Sequence, residues 1–168
     1  ANAIDSDLAA SLTFLADHLE SQYTKLATTD DRSTADRLGV HLDNIYDRLL
    51  EYHGRQASGL QYETEVALRR RLASIQNRMG KSELSLPHYL WLVDNVPHEK
   101  SADILRGLAL AYEGTDAMGE AVAIWQRLKK GLRTGGNDWV EACFHLIDCQ
   151  MELGEYDLSY KLLNILLI

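Results

Sequence analysis

Apolar residues return along this chain every three or four positions, and nowhere hold the strict alternation of a half-buried strand. That spacing predicts helices. The first should run from about Asp5 to Thr28, with Asp5, Ser6 and Asp7 supplying cap chemistry and favourable charge at its start. Its apolar seam reads Leu8, Leu12, Leu15, Leu19 and Leu26, with Tyr23 beside the missing step. A second helix should run from about Thr34 to His53, with Ser33 as N-cap and Gly54 just past its end. Its seam is Leu38, Leu42, Ile45, Leu49 and Tyr52. Two matched seams joined by a short polar turn, Thr29 to Arg32, predict a long antiparallel hairpin over residues 1–54.

Residues 55–59, Arg-Gln-Ala-Ser-Gly, read as a weak linker. Helix 3 then spans about Gln61 to Met79 and ends at Gly80. Helix 4 is expected to begin near Pro87, since proline suits the first helical position, and to stop before Pro97. Helix 5 covers about His98 to Glu113, ending at Gly114, and helix 6 follows Asp116 as N-cap and stops near Leu132. Thr134-Gly135-Gly136-Asn137 is the clearest break. Helix 7 starts after Asp138 and ends at Gly154, and helix 8 runs on from Tyr156. With only two prolines in the chain, the class is all-α. Residues 60–168 then form three helical hairpins, continuous with the first hairpin.

Composition narrows the function. At 46% hydrophobic and 25% charged, the chain has the make-up of an ordered globular protein. Its net charge of −8 is opposite to that of a nucleic-acid binder. Only residues 55–98 are net basic, at +2, and they contain Arg69, Arg70 and Arg71. No apolar run of membrane-spanning length occurs, and no signal peptide is visible. Cys143 and Cys149 stand six residues apart on one helix, about 9 Å along its axis. That is too far for a disulfide, and no metal-binding pair exists, so a reducing, cytoplasmic setting is expected. The apolar end, Leu162 to Ile168, suggests a chain cut from a longer protein, or a tail that packs on something.

From helix 3 onward three units share an order of residues. One has Leu72-Ala73, Gly80, Ser85, Tyr89 and Pro97. The next has Leu108-Ala109, Tyr112, Ala121 and Trp125. The last has Leu146, Gly154-Glu155-Tyr156-Asp157, Ser159 and Leu163. The pattern resembles tetratricopeptide repeats over about residues 66–168, although the leading leucines recur at 36 and 38 residues instead of 34. Ile147 stands where a small residue belongs, and Gln76 and Gln150 where an aromatic is common. The resemblance implies hairpins stacked as a short right-handed α-solenoid that binds a protein segment on its concave face.

Carried over position by position, that face would present Arg70, Ser74 and Asn77 from the first unit, and Asp103, Arg106, Leu110 and Glu113 from the second. The third would present Glu141, Phe144, Asp148 and Met151. Arg70, Arg106 and Phe144 would form a stripe, because each lies two positions, about 200°, from a leucine buried inside its hairpin. The arginine run could instead be a solvated helix face. Six histidines occur without HExxH or any i, i+4 histidine pair, and no nucleophile, phosphate-loop or dinucleotide motif is present. His18 and His41 could face each other across the first hairpin, but a metal there would need inward carboxylates such as Asp17 or Asp43. The expectation is therefore an interaction scaffold for a protein or peptide, with no catalytic residues, metal or cofactor. The alternative is a homodimerisation module using the first hairpin or the apolar C-terminus. A helical enzyme or small-ligand domain comes third.

Overall fold

The computed structural model describes residues 6–26, 31–55, 61–97 and 102–167. Among these the chain forms eight α-helices and no strand: α1 (Ser6–Leu26), α2 (Arg32–Gly54), α3 (Tyr62–Arg78), α4 (Ser82–Asn95), α5 (Ala102–Gly114), α6 (Met118–Gly131), α7 (Asn137–Glu152) and α8 (Tyr156–Leu166). No described helix is long and apolar enough to cross a membrane. The expected helix ends at Asp5, Thr28 and His98, the turn at Thr29–Asp30, linker positions 56–59 and Ile168 lie outside the described residues. The chain divides into two compact units, residues 1–81 and 82–168.

In the first unit α1 packs on α2 and α2 on α3. The α2 seam is as expected, with Leu42, Ile45 and Leu49 buried and Leu38 and Tyr52 half-buried. The α1 seam is not. Its buried line is Ala9, Ala16 and Tyr23, flanked by Leu12, Leu19 and Leu26, while Leu8 and Leu15 are each 43% exposed. Two alanines let α1 come closer to its neighbours than leucines would, and the helix turns by one position to present them. Leu68, Leu72 and Ile75 of α3 share this core. Polar ties run round it. The Tyr46 hydroxyl donates to Glu20 at 2.8 Å, and Lys81 Nζ meets Asp43 at 2.6 Å.

Helix starts depart from expectation in four places, the mildest at α7, which begins at Asn137 with Gly136 as its cap and so takes in Asp138. The α2 N-cap is Asp31, whose side chain accepts the Thr34 N–H at 3.1 Å, not Ser33. Helix α4 begins at Ser82, so Pro87 lies inside it; the Glu83 side of that turn is exposed, where water can satisfy the carbonyl left without a donor. Asp116 is not the cap of α6. It takes φ +58° and closes α5, and Ala117 is the cap. This closure occurs three times. Gly80 (φ +69°), Asp116 and Gly154 (φ +76°) are each followed by an N–H that bonds five residues back: Lys81 to Gln76 (2.8 Å), Ala117 to Tyr112 (2.9 Å) and Glu155 to Gln150 (2.8 Å). The next helix starts at the residue after each donor, at Ser82, Met118 and Tyr156. Left-handed φ suits glycine at two of these sites, and aspartate is among the few other residues that tolerate it.

The second unit packs its helices in chain order, α4 on α5 through to α7 on α8. Small residues sit at the crossings: Ala109, Ala111, Ala121, Ala142 and Cys143 are fully buried. Trp125, also fully buried, fills the space among α5, α6 and α7. The closest crossing is α4 on α5, where a Cβ added to Gly107 would stand 2.2 Å from the Tyr89 ring.

A helical Gly→Ala change ordinarily stabilises by about 1 kcal/mol. Gly107→Ala is expected to invert that sign and lower the melting temperature, whereas Gly119→Ala, whose Cβ would meet nothing within 4 Å, should not. Ala109→Leu should cost about 1–3 kcal/mol by overpacking. Thermal melts followed by circular dichroism decide all three; unchanged melting for Gly107→Ala and Ala109→Leu would contradict the close packing of α5.

Candidate functional site

The arginine run of α3 is largely occupied inside the first unit. Arg71 reaches across to α1, to Asp17 at 2.5 Å and Glu20 at 3.7 Å. Arg69 pairs one turn back with Glu65 at 2.7 Å. Arg70 is exposed, and Ser74 and Asn77 are half-buried, on the same helix. Asp17 and Asp43 hold Arg71 and Lys81 respectively, while His18 and His41 are both exposed.

The remaining candidates gather on α5 and α7 in the second unit. Arg106 Nη2 lies 3.0 Å from both Asp138 and Glu141, and Glu113 lies 3.1 Å from His145 Nδ1. These links advance together along both helices, so α5 and α7 run side by side in the same direction. The carboxylates that hold Arg106 belong to the first turns of α7. Asp103 and Asp148 are exposed and Leu110 is half-buried. Phe144 is 58% exposed and Met151 50%, with Val140 exposed between the same helical rows. On a helix of 100° per residue these three fall within about 40° of one another, one apolar line along α7.

Glu113 gathers more than its candidate role required. Its carboxylate accepts from Trp125 Nε1 on α6, from His145 on α7 and from Cys149 Sγ at 3.5 Å. The His145 ring stacks on Trp125, centroids 4.4 Å apart and planes 8° from parallel. One carboxylate thus ties three helices. Burial alone would raise its pKa, but the three donors outweigh burial and hold it below the ordinary 4.5. The hydrogen bond to Glu113 is the largest influence on His145 and holds its pKa above 6.5 against desolvation. Burial, with the Glu113 charge added, pushes the Cys149 thiol up to about 12. Such a thiol stays protonated and serves as a donor, not as a nucleophile.

Sequence reasoning named Glu113 but missed His145, Trp125 and Cys149 as its partners. The one signal for them is register. Once α5 and α7 are paired, residue 113 falls opposite 145, and no local motif says so. No family model matches the chain, and no curated protein matches it.

The network sets a pH window. His145 titrates higher folded than unfolded, so its contribution is complete below 6.5 and is lost as pH rises through the raised value. Glu113 titrates lower folded, so its contribution is complete above 4.5 and is lost as pH falls through the depressed value. The stability gap between the natural chain and His145→Gln should therefore be flat from 4.5 to 6.5 and narrow on either side. Urea melts across pH measure it; a gap independent of pH would exclude a charged His145–Glu113 pair.

Proposed function

We propose that this chain is a protein-interaction module, not an enzyme, whose helical hairpins stack as a short right-handed solenoid of tetratricopeptide type. What supports the array is recurrence at spacings of 36 and 38 residues. The left-handed closure recurs at 80, 116 and 154, the buried leucine at 72, 108 and 146, and the buried small residue at 85, 121 and 159. Such units leave apolar faces that only neighbours can cover.

The ligand face is the one presented by α5 and α7. The observation that carries it is the exposed apolar line of α7, Phe144 and Met151 above all, on a helix held in place by Arg106 and Glu113. A rigid apolar line bordered by Asp148 and Glu141 suits a protein segment that brings apolar side chains and a cation. Arg106 acts as a tie for this face, since its charge is already met by two carboxylates.

Phe144→Asp and Met151→Asp should each remove partner retention while leaving the helix content intact, because both side chains are half or more exposed. Partners are recovered by pull-down with the natural chain and the capture is repeated with each variant. Full retention by both folded variants would move the site elsewhere.

One observation favours self-association as a second reading. Tyr156, Tyr160 and Leu163 of α8 and Leu167 at its C-cap, spaced four, three and four residues apart, are all exposed and form an uncovered apolar stripe. A dimer in sedimentation that Tyr160→Lys converts to monomer would establish it.

A further inference from the structure

Away from the α5–α7 face, helices α6 and α8 form the two walls of an open groove of about 290 Å³, and α7 forms its floor. Leu146 rises from the floor, and Leu158, Leu162 and Ile165 line the α8 wall. Lys129 and Lys130 stand on the α6 wall, with Lys161 on the α8 wall. Among the described residues none of these three ammonium groups makes an ion pair. The chain carries net charge −8, and residues 99–168 are themselves net acidic, yet three of the seven basic residues there converge on this one trough. Gln150 also lines the groove; it is 6% exposed, and its Oε1 finds no donor among the described residues.

We propose that this groove binds a short extended segment of a partner protein in which apolar side chains alternate with carboxylates. Each part of the segment answers a separate feature. Apolar side chains pack on Leu146 of the floor and on the leucines and isoleucine of the α8 wall, and carboxylates meet ammoniums placed on both walls. Gln150 Oε1 is itself covered, so the segment is held through its side chains and not through that group. A nucleic acid would meet the lysines but not the apolar floor. A fatty acid would fill the apolar lining but brings one carboxylate to three ammoniums. The surface is distinct from the α5–α7 face, so either can fail without the other.

The probe is a fluorescein-labelled pool of eight-residue peptides alternating Leu, Ile or Phe with Asp or Glu. A control pool carries Lys or Arg in place of the acids. Fluorescence anisotropy with the full chain should show saturable binding of the acidic pool alone, weakening as salt rises. K129E/K130E/K161E should weaken it roughly tenfold or more, three reversed charges together exceeding the ~1.4 kcal/mol that a factor of ten requires. Ile165→Asp, at a 55% exposed position, tests the apolar α8 wall and should also weaken binding. Equal binding of both charge pools, no effect of the lysine reversals, or no effect of Ile165→Asp would overturn the proposal. So would retention of the chain on phosphatidylserine vesicles in place of peptide, which would assign the groove to a lipid surface.

Discussion

Helices of 11 to 23 residues have little stability alone in water, so each depends on how closely its neighbours approach. Here that distance is set by the smallest side chains. Ala9 and Ala16 let α1 settle into the first unit, and Ala109, Ala121, Ala142 and Cys143 do the same along the second. At Gly107 even a methyl group is excluded by the Tyr89 ring. Larger residues then fit the spaces this spacing leaves: Tyr46 in the first unit and Trp125 in the second are both completely covered. Interiors packed to this density resist added volume as much as lost volume.

Polar groups inside such packing must find partners, and Glu113 shows how one residue can settle several obligations. A carboxylate placed among α5, α6 and α7 would be costly without donors. The indole of Trp125, the imidazole of His145 and the thiol of Cys149 supply them from two other helices. The same arrangement fixes α7 in rotation, which decides that Phe144 and Met151 face outward while Cys143, Leu146 and Cys149 face in. The candidate face is thus a consequence of buried electrostatics behind it.

How much of this the sequence revealed can be traced residue by residue. Helix positions were legible because the three-to-four spacing persists for several turns in each segment. The face of α1 was not, because 8-12-15-19 and 9-12-16-19 satisfy the same periodicity. Hydrophobicity favours the leucines, and only the proximity of α2 selects the alanines. Asp116 was read as a cap because aspartate is good both at caps and in left-handed turns, and its local sequence does not separate the two. Pro87 was read as a helix start because that is its commonest helical place, but the closure at Gly80 had already begun the next helix. Of the candidate site, the helices that carry it were legible, while the pairing of Glu113 with His145 and of Arg106 with Asp138 depends on contacts 32 residues apart.

The Cys149 thiol gives the fold a clock of its own. With its pKa pushed up to about 12, the thiol stays protonated at neutral pH, and the sulfur is almost wholly covered besides. Alkylation therefore waits for α7 to separate from Glu113, which at once exposes the sulfur and returns its acidity to that of a free cysteine. With Cys143, the other buried thiol, replaced, the rate of labelling by a thiol reagent reports how often α7 opens at Cys149.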